Sequence, residues 1–301
     1  MDLTLPKAYT MGNLARSGYP ASEEGIYPYS YNACDDAILA QQNGAAGSTL
    51  PAQRLSGCTC PIERTRGNHP GPTGAQYLTG RGSPHIDILG HAFDTGEAGV
   101  VSQGFRVAPM TPGLVVNDGQ SIQSAGDSKL NTYLGNDKAQ IVSALTNIPA
   151  GSYSSGGAQF TSFGYEHVPN ADDQSQAALH FMRGGTSEMY RVTGASVPAD
   201  GAALEQRLIS NEPMYIVLGL ALSQVFAAVD TSQLTFPAKL MVDYVRVYQR
   251  DGQDSKIGCN PTDFPTKDYI EKHSRAYSDS SLTTWADAGY DTPTNAWVDG
   301  C

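Results

Sequence analysis

The sequence predicts an all-β protein built as a sandwich of two antiparallel sheets. Short stretches with alternating apolar residues recur between residues 84 and 249, and turn-forming residues separate them. The 32 glycines and 18 prolines among 301 residues indicate a turn-rich fold rather than a disordered chain. Hydrophobic residues make up 40% of the chain, which is enough for a sizeable core. Together these features favour a sandwich.

The first 75 residues are loop-like, with many Gly, Pro, Ser and Asn residues. Long irregular loops in compact domains are usually functional or disordered. This one contains Tyr19, Tyr27, Tyr29 and Tyr31, which are more aromatic residues than disordered tracts normally carry. We therefore expect an ordered loop that faces a ligand.

The strands follow from residue 84 onward. We predict strands in PHIDILGHAF, GAQFTSFGYEHV and KLMVDYVRVYQR, and a hairpin formed by AALHFMRG and SEMYRVTG around Gly184 and Gly185. The longest apolar run, residues 213–229, is shorter than the roughly 20 residues of a membrane-spanning helix. Its Ile, Val and Leu content predicts a buried strand or strand pair instead.

After the last strand the sequence changes character, which predicts a division into a sandwich at 1–250 and a C-terminal appendage at 251–301 packed on it. Within the appendage, residues 266–277 form a candidate helix. Thr266 is a suitable N-cap, acidic residues come early and basic residues come late. His273 is expected to be a solvated residue near the end of this helix.

Net charge limits the possible partners. At −11, the chain should repel nucleic acid and anionic membrane surfaces, whereas a neutral polysaccharide is a suitable ligand. Motifs for dinucleotides, nucleoside triphosphates, zinc peptidases and serine hydrolases do not occur, and we expect no cofactor.

The five cysteines leave two alternatives open. Their wide spacing suggests the disulfide framework of a secreted protein, while buried thiols are the simpler interpretation. Cys58 and Cys60 lack the second half of a zinc site, so no metal is expected. The five positions are Cys34, Cys58, Cys60, Cys259 and Cys301.

The stretch SPHIDILGH carries the candidate chemistry. On a regular strand, His85, Asp87, Leu89 and His91 share one face. A retaining glycosidase needs two carboxyls about 5–5.5 Å apart. One strand can supply both as Glu-x-Asp-x-x-Glu if a bulge returns the last Glu to the face of the first. In this pattern His85 takes the first Glu position, Asp87 the middle one and Gly90 the last.

The chain resembles the family 16 glycoside hydrolases and, within them, fungal proteins associated with β-1,6-glucan synthesis. The segments that carry the resemblance are YTMGNLARSGYPASEEGIYPYSYNACD, LPAQRLSGCTC, GRGSPHIDIL, QRLISNEPMYIVLGLALS, FPAKLMVDYVRVYQ and CNPTDFPTKDYIEKHSRAY. The resemblance implies a concanavalin-like jelly-roll whose concave face holds a β-glucan. It also implies type II membrane proteins of the secretory pathway or cell surface that take part in cell-wall glucan assembly.

Departures from the family pattern affect the catalytic positions. The resemblance places His85 where the nucleophile is expected, Gly90 where the acid/base is expected, and Asp87 as the retained middle acid. A glycine cannot donate a proton, and a neutral histidine is a poor replacement for an attacking carboxylate. The expected sugar contacts are Tyr9, Asn13, Tyr19, Tyr27, Tyr29 and Tyr31.

Family members also carry a membrane helix and several sandwich strands before the segment that corresponds to YTMGN. We therefore expect this chain to lack the first strands of the sandwich, to contact membranes only through a segment that it does not contain, and to be poorly stable. Missing strands would expose sheet edges and apolar surface.

Three functions remain in competition. The preferred one is a glucan-binding or scaffold protein without catalysis. The second is an active glycosidase or transglycosylase on β-1,3- or β-1,6-glucan, which would need Asp87 and a carboxylate such as Glu97 or Glu166. The third is a decaying paralogue that does not fold productively. A metal site formed by His85, Asp87 and His91 is a minor alternative.

Overall fold

The computed structural model describes residues 5–25, 82–93, 99–111, 113–117, 119, 122–135, 139–153, 156–157, 159–170, 173–185, 187–199, 204–221, 236–252, 257–262 and 264–291. Their strands are β1 Leu5–Gly12, β2 His85–Phe93, β3 Gly99–Val107, β4 Ile122–Ser124, β5 Ser128–Leu130, β6 Gln140–Asn147, β7 Phe163–Val168, β8 Ala178–Arg183, β9 Ser187–Thr193 and β10 Met214–Ala221. The α-helices are short: α1 Pro20–Glu24, α2 Lys267–Lys272 and α3 Ser274–Ser278.

The strands form two antiparallel sheets, which confirms the predicted all-β sandwich. The larger sheet has six strands in the order β10-β1-β2-β3-β6-β5, and the smaller has four in the order β4-β9-β8-β7. β2 therefore lies near the middle of the larger sheet, hydrogen-bonded to β1 on one side and β3 on the other.

The core lies between the two sheets. Ile86, Phe105 and Val142 of the larger sheet belong to the same buried cluster as Phe181 and Tyr190 of the smaller one. Side chains alternate between the faces of a strand. Since Ile86 points into the core, its neighbours His85 and Asp87 point to the opposite face of the larger sheet. The candidate site lies on that outer face.

The predicted hairpin is confirmed. β8 and β9 pair in antiparallel register, with Ala178 opposite Thr193 and Arg183 opposite Ser187. Gly184 and Gly185 make the turn with φ values of 69° and 100°, a conformation that residues with a Cβ atom rarely adopt.

The prediction of a buried strand over 213–229 is correct in type but wrong in burial for its described part. β10 is an edge strand, paired only with β1 among the described strands. Ile216, Leu218 and Leu220 point to the side on which the smaller sheet lies, yet Leu218 is 46% exposed. The smaller sheet ends at β7, and Met214 at the start of β10 still packs against the core cluster, whereas Leu220 near its end is 38% exposed. Residues 222–235 lie outside the described part.

The strand predicted over residues 239–250 is not formed. No strand is assigned within the described residues 236–252, and the apolar side chains of this segment stand in solvent, with Tyr248 78% exposed. The alternation of apolar residues is typical of a strand, but a strand also needs a neighbour to accept its hydrogen bonds. Strand pairing is a non-local property that this local pattern does not provide.

The single helix predicted over residues 266–277 is observed as α2 and α3, which meet at His273. The prediction that the Thr266 side chain caps α2 is wrong. Its hydroxyl donates to the Phe264 carbonyl at 2.9 Å instead. The side chain of Asn260 takes the capping role instead. Its Oδ1 accepts hydrogen bonds from the backbone N–H groups of Thr266 and Lys267 at 2.7 and 3.0 Å.

The prediction that His273 is solvated is wrong. Its side chain is 1% exposed and packs against the rings of Tyr269, Trp285 and Tyr290, with centroid distances of 4.3, 4.9 and 4.8 Å. Its Nδ1–H donates to the Tyr269 carbonyl at 2.8 Å. An aromatic cluster around a histidine, not solvent, surrounds the junction of the two helices.

This C-terminal region packs on the segment that follows β1. Leu14 and Ala21 share a buried cluster with Tyr277 and Trp285, and the Arg16 guanidinium donates to the Tyr277 carbonyl at 2.5 Å. The division into a sandwich at 1–250 and an appendage at 251–301 stays a prediction.

Of the five cysteines, Cys259 alone lies in the described part of the chain. The thiol of Cys259 is exposed and forms no disulfide, while Cys34, Cys58, Cys60 and Cys301 lie outside the described residues. Among the described helices, none is long and apolar enough to cross a bilayer.

Candidate functional site

A β-bulge in β2 arranges the candidate site. Asp87 pairs with Gly104 of β3 and Gly90 pairs with Ser102, so three steps on β2 match two on β3. The extra residue returns Gly90 to the face of His85 and Asp87, as the Glu-x-Asp-x-x-Glu pattern requires. The three positions of the motif therefore lie together on the outer face of the larger sheet.

The same bulge turns His91 to the other side. His91 pairs with Val101, which shares its face of β3 with the core residue Phe105. The His91 Nε2 atom lies 3.2 Å from the Tyr153 hydroxyl. The expectation that His91 shares a face with His85 and Asp87 is therefore wrong. No group of three or more His, Cys, Asp or Glu residues in the described ranges is placed to hold a metal ion.

Neighbouring strands complete the surface around the motif, because opposed residues in antiparallel strands share a face. On β1, Met11 lies opposite His85, Tyr9 opposite Asp87 and Lys7 opposite Gly90. On β3, Arg106 follows the partner of Ile86 and so lies beside His85. We call this surface the groove floor, and its central residues are Lys7, Tyr9, Met11, His85, Asp87, Gly90, Ser102, Gly104 and Arg106.

Asp87 is bound by two partners within the protein. The Nε2 atom of His85 donates to Asp87 Oδ1 at 2.9 Å, and the Lys7 ammonium lies 3.3 Å from the same oxygen. Burial would raise the pKa of Asp87, but the hydrogen bond from His85 and the charges of Lys7 and Arg106 outweigh it. They hold the pKa of this carboxyl well below its usual range. Asp87 is therefore an ionised acceptor at neutral pH.

His85 is neutral in this setting. Burial lowers its pKa to about 4, although the hydrogen bond with Asp87 opposes the shift. Its ring is stacked on Tyr9, with centroids 4.2 Å apart and planes 7° apart. The Tyr9 hydroxyl in turn shares a 2.6 Å hydrogen bond with Ser17. These contacts fix the imidazole against the sheet.

Lys7 is the most accessible member of the cluster. Its side chain is 35% exposed, compared with 9% for His85 and 7% for Asp87. The ammonium also lies 4.7 Å from the centroid of the Tyr9 ring. Burial lowers the pKa of Lys7, and the charge of Asp87 opposes that shift. Lys7 was not among the site residues predicted from the sequence; its signal is a lysine two residues before Tyr9 in an otherwise uncharged strand.

The other predicted sugar contacts are only partly described. The Asn13 side chain donates to the Cys259 carbonyl at 3.1 Å, and the Tyr19 ring lies 3.9 Å from the guanidinium carbon of Arg16. Both residues belong to the loop after β1 rather than to the groove floor. Tyr27, Tyr29 and Tyr31 lie outside the described residues.

A second catalytic carboxylate is not supplied by Glu166. This residue lies on β7 of the smaller sheet, beside Tyr165, which packs against the core. Glu166 therefore points away from the core on the far side of the sandwich, where Arg250 binds it at 2.8 Å. Glu97, the other candidate, lies outside the described residues. Asp87 is thus the one carboxylate at the three motif positions.

Comparison with known proteins places the chain in a family. A family model described as β-glucan synthesis-associated protein SKN1/KRE6/Sbg1 matches residues 4–301. The chain belongs to this family. No solved structure matches it.

The β-glucan synthesis-associated relatives are longer than this chain. KRE6 of Saccharomyces cerevisiae is 36% identical over 301 residues, which cover 98% of this chain and 40% of the relative. SKN1 of the same yeast is 38% identical, with 98% and 37% covered, and SKN1 of Candida albicans is 37% identical, with 98% and 38% covered. The chain spans about two-fifths of the length of these curated relatives.

Proposed function

We propose that this member of the β-glucan synthesis-associated family binds β-glucan during cell-wall glucan assembly and does not cleave it. The observation that carries the proposal is the state of Asp87. It is the one carboxylate at the motif positions, and its Oδ1 already accepts from His85 and Lys7. The sequence resembles the family 16 glycoside hydrolases, and the two catalytic carboxylates expected from that resemblance are the ones replaced at positions 85 and 90.

Each step of retaining hydrolysis lacks its group. The leaving oxygen needs a proton, but Gly90 has no side chain and Asp87 is ionised. Attack on the anomeric carbon needs a carboxylate, but position 85 carries a neutral imidazole stacked on Tyr9. General acid catalysis alone contributes about 10²–10⁴-fold to a rate. The loss of both groups therefore leaves no efficient route to bond cleavage.

Several properties support binding of a neutral polysaccharide. The groove floor carries a charged pair, Lys7 and Asp87, and the hydroxyls of Tyr9 and Ser102. It also carries the stacked rings of Tyr9 and His85. A chain with a net charge of −11 is better suited to a neutral ligand than to a polyanion. We propose the secretory pathway or cell surface as its location, as in the family that the sequence resembles.

The test uses the purified chain with β-1,3- and β-1,6-glucans. We expect it to co-sediment with one of the insoluble glucans and to release no reducing ends beyond a heat-denatured sample. Chromatography of soluble oligosaccharides will detect transfer without net hydrolysis. Release or transfer above that control contradicts the proposal and favours the active alternative.

The exposed apolar side chains of the segment at 239–250, called the bare segment below, favour a second candidate function. In this candidate the chain is a paralogue that no longer folds productively. Contiguous exposed apolar surface is unusual in a soluble monomer. A thermal melt separates the two candidates. A cooperative transition together with glucan binding supports the binding protein, and a broad non-cooperative transition without binding supports the decayed paralogue.

A further inference from the structure

We propose that Lys7 is the group of the groove floor that contacts the glucan directly, donating hydrogen bonds from its ammonium to sugar hydroxyls. This inference rests on the proposed function and adds a specificity-determining residue to it. The first reason is access. Lys7 is 35% exposed, whereas the motif residues His85 and Asp87 beneath it are nearly buried. A ligand on the groove floor meets Lys7 before either of them.

The second reason is the space on both sides of Lys7. Its partner on β10 is Gly219, and its partner on β2 is Gly90. Opposed residues share a face, so the lysine stands between two positions without side chains. A Cβ atom added at Gly219 would meet no atom within 4 Å. We call this row of Gly90, Lys7 and Gly219 the clearing. A sugar ring can approach the backbone at the two glycines without clashing with a neighbouring side chain.

The third reason is that the ammonium is already held in place. Asp87 Oδ1 at 3.3 Å and the Tyr9 ring at 4.7 Å restrict the flexible side chain before a ligand arrives. An immobilised side chain loses less conformational entropy on binding. An ammonium group has three N–H donors, and the contact with Asp87 uses one of them. Within the described part of the chain no second acceptor holds the ammonium, so its other two donors can reach hydroxyl oxygens.

The chemistry of the ligand follows from this arrangement. Sugar hydroxyls accept hydrogen bonds, and a bond from a charged donor contributes more than one between neutral groups. A charge-assisted bond is worth about 1.5–3 kcal/mol, so the loss of one corresponds to roughly a 10-fold or greater weakening of the dissociation constant. Lys7 would recognise the hydroxyl groups of the ligand. The clearing would select the ligand by the width of its sugar ring.

The experiment measures dissociation constants for soluble β-1,3- and β-1,6-linked glucose hexasaccharides by calorimetry. Lys7→Met keeps the length of the side chain and removes the charge, and we expect it to weaken binding roughly 10-fold. Gly219→Val fills the clearing without touching any charge and should weaken binding as well. Gly164→Val is the matched control, because Gly164 is a strand glycine of the smaller sheet that also has open space around it.

A double-mutant cycle separates direct contact from action through Asp87. If Lys7 contacts the sugar, K7M weakens binding further in a D87N background; if it acts only through the carboxylate, K7M has no effect there. Wild-type affinity in K7M or G219V, loss of affinity in G164V, or no effect of K7M in the D87N background overturns the inference. Failure of the wild-type chain to bind either hexasaccharide refutes the proposed function instead, and the inference with it.

Discussion

Removal of the Lys7 charge should reveal how strongly the groove floor depends on the Lys7–Asp87 pair. At 3.3 Å the Coulomb attraction ranges from about 1 kcal/mol in bulk water to about 5 kcal/mol at an effective dielectric constant of about 20. Lys7 is 35% exposed, so solvent screens the pair and the lower part of this range applies. We expect a coupling free energy of about 1–2 kcal/mol between the two residues.

The assay is urea unfolding at pH 7 of the wild type, K7M, D87N and the double variant. K7M alone should lose about 1–2 kcal/mol in the free energy of unfolding, because it leaves Asp87 buried and ionised without its cation. In the D87N background the same substitution should change the free energy of unfolding much less. A coupling free energy within about 0.3 kcal/mol of zero would refute the reasoning.

The pH dependence of the free energy of unfolding tests independently whether ionised Asp87 stabilises the fold. The pKa of Asp87 is lower in the folded state than its ordinary value of 3.8. Its contribution to stability is therefore present above pH 3.8 and lost as pH falls through the folded-state pKa. The stability difference between wild type and K7M should be largest near neutral pH and shrink in acid. A difference that grows as pH falls would contradict this assignment.

The remaining predictions concern the motif, the appendage and the bare segment. H85E/G90E restores two carboxyls to one face of β2, and we expect reducing-end release from a glucan that the wild type only binds; continued inactivity would show that positions 85 and 90 do not alone account for the loss. His273→Ala should lower the free energy of unfolding by about 2–3 kcal/mol, measured in urea, because it empties a site inside an aromatic cluster; a change below about 0.5 kcal/mol would mean that the cluster collapses around the gap. V245K/V247K should reduce binding of the dye ANS and slow aggregation with little change in unfolding free energy, since both side chains already lie in solvent.

The sequence predicted those elements that are determined by residues adjacent along the chain. The turn at Gly184 and Gly185 needs positive φ angles, which glycine adopts readily, so the hairpin of β8 and β9 was readable from the sequence. The strand at HIDILGH was similarly visible from its alternation. The facing of His91 was not, because alternation assumes a regular strand, and one extra residue reverses every later side chain.

Features that depend on distant partners escaped the sequence analysis. Lys7 acquires its role from the register of β1 against β2, which joins residues about 80 positions apart. His273 is buried because Trp285 and Tyr290 fold back over it. The segment at 239–250 has the pattern of a strand but pairs with none of the described strands. In each case the deciding contact is tertiary, and no local propensity encodes it.

The inserted residue at Ile88 decides which later side chains of β2 reach the outer face. Deletion of Ile88 would leave Leu89 opposite Ala8 and Gly90 opposite Lys7, the pairing that they already have, so Gly90 would stay beside the lysine and His91 would stay turned inward. A β2 that kept Ile88 but ran evenly past β1 would instead bring Leu89 opposite Lys7, turn Gly90 to the interior and carry His91 to the side of Asp87. The empty place next to Lys7 therefore depends on an irregularity of the backbone, and a mutation that straightens the strand would fill that place with a leucine.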